Sequence, residues 1–577
     1  MMVQKSGNTA HTTFNLEESM SLGINHLENL VDSTGQPYFD VFMTKPAEAV
    51  HDWPDFVDLP SRYLEASVMI RQMLGIKVAT EDVLRRRLFS TFRSDGFAHR
   101  PETPYSRPEV NVMEQALVLK ALNTMYMDNP EPEVSNSIRG LVDAISSPSI
   151  KKEDRYFLLR PIVQSWMTIR YAPALDMAKE VTDDAIHRSK ELSPDGSYSG
   201  HNHAHLALLA GLLSYGIVTG DTDLIHEVRK SFDFCRSMST SFGFVPELIK
   251  RPSDIVGCET CAIMDYLDVA ILLARYGYPQ YWDIVEKTTR NHLVESQIKS
   301  ASWLSNEPQI EDTDRTLYRD VGKKVIGAFA GWSSPDHYLA YEDELWPSWC
   351  KDEKQHPYYL GKIRALQNCC AGSGLRAIFQ VWRNIAYFLD DDLFVNLHID
   401  KLIPGVSIIG CQPYEGRTVL RIERGCDAHI RIPSFVGPSE IKMKVNGINS
   451  DFTHQGVYAT LKGVKAGTDI EMIYPLPMIQ ETVSIGNPGY QSYGYSVLWR
   501  GDTVVKAVPD AKNPTIGYSD LIKRNVRLYY SGDGPGTLYD RGYLLERAFT
   551  VQPAPVSIDT STVDWYSMMK KEPTTRA

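Results

Sequence analysis

The chain has 577 residues and a formal net charge of −12, with 60 basic and 72 acidic side chains, 43% hydrophobic residues and 23% charged ones. That balance is ordinary for a globular protein and excludes a mainly disordered, collagen-like or membrane-spanning chain, because no stretch approaches the roughly 18 apolar residues a spanning helix needs. An acidic surface offers no field for a phosphate backbone, so neither nucleic acid nor a membrane is an expected partner.

The length suggests about two to four domains. The N-terminus stays polar through Thr13 and lacks the apolar segment of a signal peptide, which leads us to expect a cytoplasmic protein. Helical periodicity then dominates. Stretches near 14–32, 58–75, 80–94, 109–128, 131–146, 155–170, 175–191, 203–218, 221–240, 258–277, 279–298 and 370–390 read as helices. Leu206 to Val218 is apolar nearly all round, as in a helix buried on every side. Behind it Asp221 can cap a helix whose Leu224, Ile225, Val228 and Phe232 share one face. A buried helix followed by an amphipathic one is the pattern of an inner and an outer layer, and twelve such helices in pairs suggest an (α/α)6 barrel over residues 1–390.

Periodicity fades over 299–368, where Trp303, Trp332, Trp346 and Trp349 cluster with several prolines. A run of that length in a compact domain suits loops over a pocket mouth. After Asp390 the pattern becomes short alternating runs separated by turn residues, such as Val419–Ile422, His429–Ile432 and Asp469–Ile473. This predicts an antiparallel β-sandwich over 391–525, followed by a tail, 526–577, packed on the other domains.

Eight cysteines are too few for a disulfide scaffold, but two pairs are tight. Cys258 and Cys261 sit where a loop enters the 258–277 helix, and Cys369 and Cys370 sit at the start of the 370–390 helix. Free N–H groups and the dipole at a helix N-terminus favour thiolate, the form that binds metal or attacks carbon. Three thiols with a carboxylate would satisfy tetrahedral Zn²⁺, although buried, unreactive cysteines fit the spacing too.

Several patterns, in the same order along the chain, resemble glycoside hydrolase family 127, the β-L-arabinofuranosidase-like enzymes. They are Gly200-His201, Glu259-Thr-Cys-Ala262, Tyr281-Trp-Asp-Ile-Val-Glu-Lys, Cys369-Cys370, Asp390-Asp-Asp-Leu-Phe-Val-Asn-Leu-His-Ile, Ile430-Arg-Ile-Pro-Ser and Val445-Asn-Gly, with Asp58 and Leu64-Glu65-Ala66 upstream. The resemblance covers roughly residues 50–510. It implies an (α/α)6 barrel followed by β-sandwich material. It also implies a zinc site of Glu259, Cys261, Cys369 and Cys370, with Cys369 as nucleophile.

The resemblance further implies His201 as a sugar ligand and places Glu286 at an acidic position of the family. Trp332, Asp336 and His337 could also bind sugar. The family's acid/base glutamate lies sixteen residues before the Glu-Thr-Cys glutamate, where this chain has Gly243; Glu247 is the nearest carboxylate. The family's Cys-Cys-Pro-Pro-Asn is here Cys-Cys-Ala-Gly-Ser-Gly, the mark of a divergent branch.

Of the imidazoles in His201-Asn-His-Ala-His205, helical spacing would put His201 and His205 on one face and His203 on another; the trio offers a metal-binding reading, while His203 or His205 also fits as a satisfied core histidine. The resulting expectation is a zinc-dependent retaining glycosidase acting on short oligosaccharides, with the oligomeric state open to a homo-oligomer. Two other readings remain. One is a zinc-free lyase or unsaturated-uronide hydrolase of another (α/α)6 class using His201, Asp336 or His337. The other is a carbohydrate-binding protein with a structural zinc.

Overall fold

The computed structural model describes residues 14–42, 46–147, 150, 153–250, 257–299, 301, 310–333, 364–486, 492–510 and 565–570. Asp336, His337, Trp303, Trp346 and Trp349 lie outside them, with most of the 299–368 stretch and most of the 526–577 tail.

The helices are α1 (Leu16–Asn29), α2 (Asp58–Leu74), α3 (Glu81–Thr91), α4 (Val112–Asp128), α5 (Pro132–Ile145), α6 (Leu159–Ile169), α7 (Ala172–Asp183), α8 (Asn202–Thr219), α9 (Thr222–Met238), α10 (Thr260–Tyr276), α11 (Trp282–Thr288), α12 (Val321–Lys324) and α13 (Cys369–Asn384). Six of them form a closed ring: α2 packs on α4, α4 on α6, α6 on α8, α8 on α10, α10 on α13, and α13 back on α2. Each ring helix carries one outer partner, α3, α5, α7, α9, α11 and α1 in turn. This is the expected (α/α)6 barrel.

The layers follow from composition. In α8 and α10 apolar residues surround the axis and most residues are buried. In α9 only Leu224, Ile225, Val228, Ser231, Phe232 and Cys235 are buried, and the Asp221 carboxylate caps the helix by accepting from Leu224 N–H at 3.0 Å. The last ring helix ends earlier than its periodicity predicts. It stops at Asn384, and Ala386–Leu389 is already a strand that reverses at Asp390, with φ +55°, to pair with Asp392–Val395.

Two sheets then face each other across a shared apolar core that includes Leu393, Val395, Ile408, Leu420, Ile430, Leu461, Ile470 and Met472. One has five strands, in the spatial order 453–455, 458–464, 426–431, 392–395 and 386–389; its 392–395 and 426–431 strands run parallel. The other has six antiparallel strands, in the order 401–403, 406–410, 417–422, 468–473, 442–445 and 448–450. Buried and exposed residues alternate along Val406–Gly410 and Thr468–Ile473, as a half-buried strand requires.

The strands after Pro477 do not continue this sandwich. Met478–Gly486, Ser492–Arg500 and Thr503–Pro509 form a separate three-stranded sheet, and its Val497, Trp499 and Val504 join the core of the barrel. The helix Trp565–Lys570 lies on α6 and α8.

Candidate active site

The site is built where α2, α8, α10 and α13 begin. Cys261 is the second residue of α10, and Cys369 and Cys370 open α13. Helix packing brings the three sulfurs within 4.8 Å of one another, with Cys261 Sγ 3.5 Å from Cys370 Sγ. Two glycines allow this approach. A Cβ on Gly372 would stand 2.7 Å from Arg62 Cβ, and one on Gly374 would stand 2.4 Å from the Phe329 ring. The Ala-Gly-Ser-Gly that departs from the family pattern therefore lets α13 press against α2.

Ser373, between those glycines, accepts from Arg62 Nη1 at 2.7 Å and from Cys261 Sγ at 3.3 Å. The buried Arg62 guanidinium is held by Asp58 one turn earlier and stands 4.0 Å from Cys261 Sγ. Hydrogen bonds from Cys261 and Cys370, and after them the charge of Arg62, hold the Cys369 thiol well below its ordinary range against the effect of burial; Cys370 is pushed up in the same exchange. Cys258 takes no part: its sulfur accepts from Val245 N–H at 3.3 Å, and burial pushes the thiol far up.

A second group sits beside the thiols. Glu259 Oε2 lies 3.1 Å from His201 Nε2, and His201 Nε2 lies 4.0 Å from Glu247 Oε1. Burial pulls His201 down, but Glu259, Glu247 and Cys261 overcome this and raise it to about 9. Glu247 is not a solvated loop carboxylate: burial first, then the charge of Glu259, hold it well above the usual range. Trp332 lies against Glu247 and pairs across a short ladder with Glu259, so the only described aromatic of the expected loop set reaches the site.

Glu286 is a correction. The structure does not bring it to this group; it is fully buried between the barrel and the sandwich. Its carboxylate receives Arg290 Nε at 2.8 Å, Arg431 and the His398 N–H. A family position in a predicted outer helix could not show that the sandwich would close over it.

The histidines also fall differently. α8 starts at Asn202, so His201 lies in a strand before the helix and its direction is not set by helical spacing. His205 turns away, stacked on Tyr198 and 3.0 Å from Ser231 Oγ. His203 turns inward. Its Nδ1 is 2.7 Å from Asp265 Oδ2, and a ring nitrogen lies within 4.8 Å of both a Glu259 oxygen and Cys261 Sγ. Sulfurs this close, with a carboxylate reaching one of them, are a donor set that could hold a metal ion.

No protein-family profile matches the sequence, and no curated protein is significantly similar to it. Solved structures do match. A GH127 β-L-arabinofuranosidase from Geobacillus stearothermophilus T6 is 14% identical with a TM-score of 0.55, over 85% of this chain and 80% of that one. A second GH127 β-arabinofuranosidase is 16% identical with a TM-score of 0.60, over 86% of this chain and 84% of that one. A structure described as a glycoside hydrolase is 13% identical with a TM-score of 0.56, over 83% and 85%. From the helical barrel into the strands behind it, the chain has the fold of glycoside hydrolase family 127.

Proposed function

We propose that the protein is a retaining glycoside hydrolase with a cysteine nucleophile, acting on short oligosaccharides and related to the β-L-arabinofuranosidases whose fold it shares. The observation that carries this reading is the three-sulfur group at the starts of α10 and α13, with Glu259 reaching Cys261 and Glu247 grouped with Glu259 and His201.

In this reading the Cys369 sulfur attacks the anomeric carbon while Glu247, kept protonated by its burial and by Glu259, gives a proton to the leaving oxygen. Glu247 then takes a proton from the water that releases the sugar, and two inversions give net retention. His201 and Trp332, both partly exposed beside Glu259, would hold sugar hydroxyls and the sugar face.

Glu259, Cys261, Cys369 and Cys370 would hold zinc. The softness of the three sulfurs suits it, and a 3.5 Å sulfur separation suits sulfurs that share one ion at about 2.3 Å. Bound there, zinc would keep the sulfurs deprotonated at neutral pH. Three thiolates and a carboxylate exceed the charge of one divalent ion; Arg62 and the two helix N-termini offset the excess.

The experiment is trapping. A mechanism-based sugar electrophile should add its mass to the peptide carrying Cys369, and the first-formed product should keep its anomeric configuration. Label on Cys370 alone, or an inverted product, would remove Cys369 from the role.

A further inference from the structure

The zinc set leaves one chemical problem. A nucleophile that is also a metal ligand changes character when it reacts. The Cys369 sulfur forms a bond to the anomeric carbon as the carbon–oxygen bond breaks; the electron pair leaves with the oxygen, which takes the Glu247 proton. The sulfur is then a neutral thioether, a poor donor to zinc. The remaining ligands would be Glu259, Cys261 and Cys370, one short of the tetrahedral set.

The structure places another donor there. Cys261 belongs to two overlapping triads: one with Cys369 and Cys370, the other with Glu259 and His203, each with its ligand atoms within 4.8 Å. His203 is nine-tenths buried and held in orientation. Its Nδ1 bonds Asp265 at 2.7 Å, and its ring meets Phe157 edge-on at 5.3 Å. Among the described residues its Nε2 makes no hydrogen bond. A carboxylate on Nδ1, with a ring nitrogen within 4.8 Å of a thiol and a second carboxylate, is the arrangement that metal-ligating histidines show.

We propose that His203 is a further ligand of the metal site, exchanging with Cys369: it holds the ion through Nε2 when the Cys369 sulfur is engaged by sugar, and Asp265 positions it for this. The inference rests on the zinc reading above.

Two measurements test it. The first is a double-mutant cycle on zinc affinity, by competition with a chromophoric chelator, using wild type, Cys369→Ala, His203→Gln and the double variant. Cys369→Ala should keep zinc with affinity lowered about 10–100-fold, and His203→Gln alone should change the affinity of the sugar-free protein little. The double variant should lose far more than the product of the two single effects, because each residue covers for the other. Equal effects of His203→Gln in the wild-type and Cys369→Ala backgrounds would overturn the exchange. Helix content and melting of each variant identify any that misfolds.

The second measurement leaves His203 intact. Zinc-edge X-ray absorption of Cys369→Ala, which mimics the loss of that sulfur, should show imidazole scattering beside two sulfurs. Its absence would overturn the proposal even if a His203 variant cannot be made. Wild type prepared without chelator and free of metal would overturn both this proposal and the zinc reading; metal-loaded wild type with additive variants would overturn this one alone.

Discussion

Glu247 shows how a residue's chemistry depends on what surrounds it. As a loop residue between Pro246 and Leu248 it has no motif of its own. Folded, it is pinned by its main chain, with Asn202 N–H donating to its carbonyl at 2.8 Å and its own N–H donating to Gly257 O at 2.9 Å. Its side chain therefore faces Glu259 and His201, and two carboxylates so close are not both ionised without cost. If Glu247 is the acid, Glu247→Gln should slow aryl glycosides with poor leaving groups by about 10²–10⁴-fold and those with good leaving groups far less. Rates on a series of leaving groups would show this; a uniform loss would discard the role. Both the Glu-Thr-Cys and Cys-Cys motifs were legible in the sequence because they lie at helix starts that periodicity marks. His203 was not, because helical spacing separates it from His205 but does not say which face of α8 meets Asp265 and Cys261 on α10.

At the scale of elements, α13 carries the site. Its first turn supplies two sulfurs, and the glycines that follow set its distance from α2 and from Phe329. Gly372→Ala would force a methyl group against Arg62 Cβ, and neither backbone can yield without moving the thiols. We expect a stability loss of about 1–3 kcal/mol from overpacking, together with weaker zinc binding, since Cys369 and Cys370 move relative to Cys261. Chemical denaturation and chelator competition would measure the two, and an unchanged denaturation midpoint would show that the contact relaxes freely. The outer helices were the more legible in sequence, since a single apolar face repeats every 3.6 residues; the ring helices, apolar all round, give a direction for burial but none for neighbours.

At the scale of the whole molecule, the barrel and the strands behind it are joined through Glu286. Burial alone would raise this carboxyl, but Arg290, Arg431 and His398 outweigh it and hold it well below its ordinary range. A carboxyl with a depressed folded value stabilises the protein above its unfolded value, 4.5, and that contribution is lost as pH falls through the acid range. Glu286→Gln should cost about 3–5 kcal/mol at neutral pH, since it leaves two buried guanidinium groups without their shared anion. The gap between variant and wild type should narrow as pH falls below the usual carboxylate range. Urea midpoints at several pH values would check this, and a gap that does not change with pH would show that packing, not charge, is what the substitution removes. Zinc removal belongs to this scale too. The ligands come from α10 and α13, distant in sequence, so chelation should lower the melting temperature of the wild type; no shift would show that the thiols hold no metal that matters to folding.

The sequence by itself determined the alternation of buried and amphipathic helices, the change from helices to strands near residue 390, and the residue types at two helix starts. These are local quantities, set by periodicity, caps and turn residues over ten or twenty positions. Only the tertiary structure decided which helix follows which around the ring, that Gly372 and Gly374 bring three sulfurs together, that Glu286 faces the sandwich and not the pocket, and that His203 turns towards Cys261. Each of these depends on contacts between residues tens to hundreds of positions apart, and no local pattern in the chain encodes the direction in which a side chain on a fully buried helix will meet its partner.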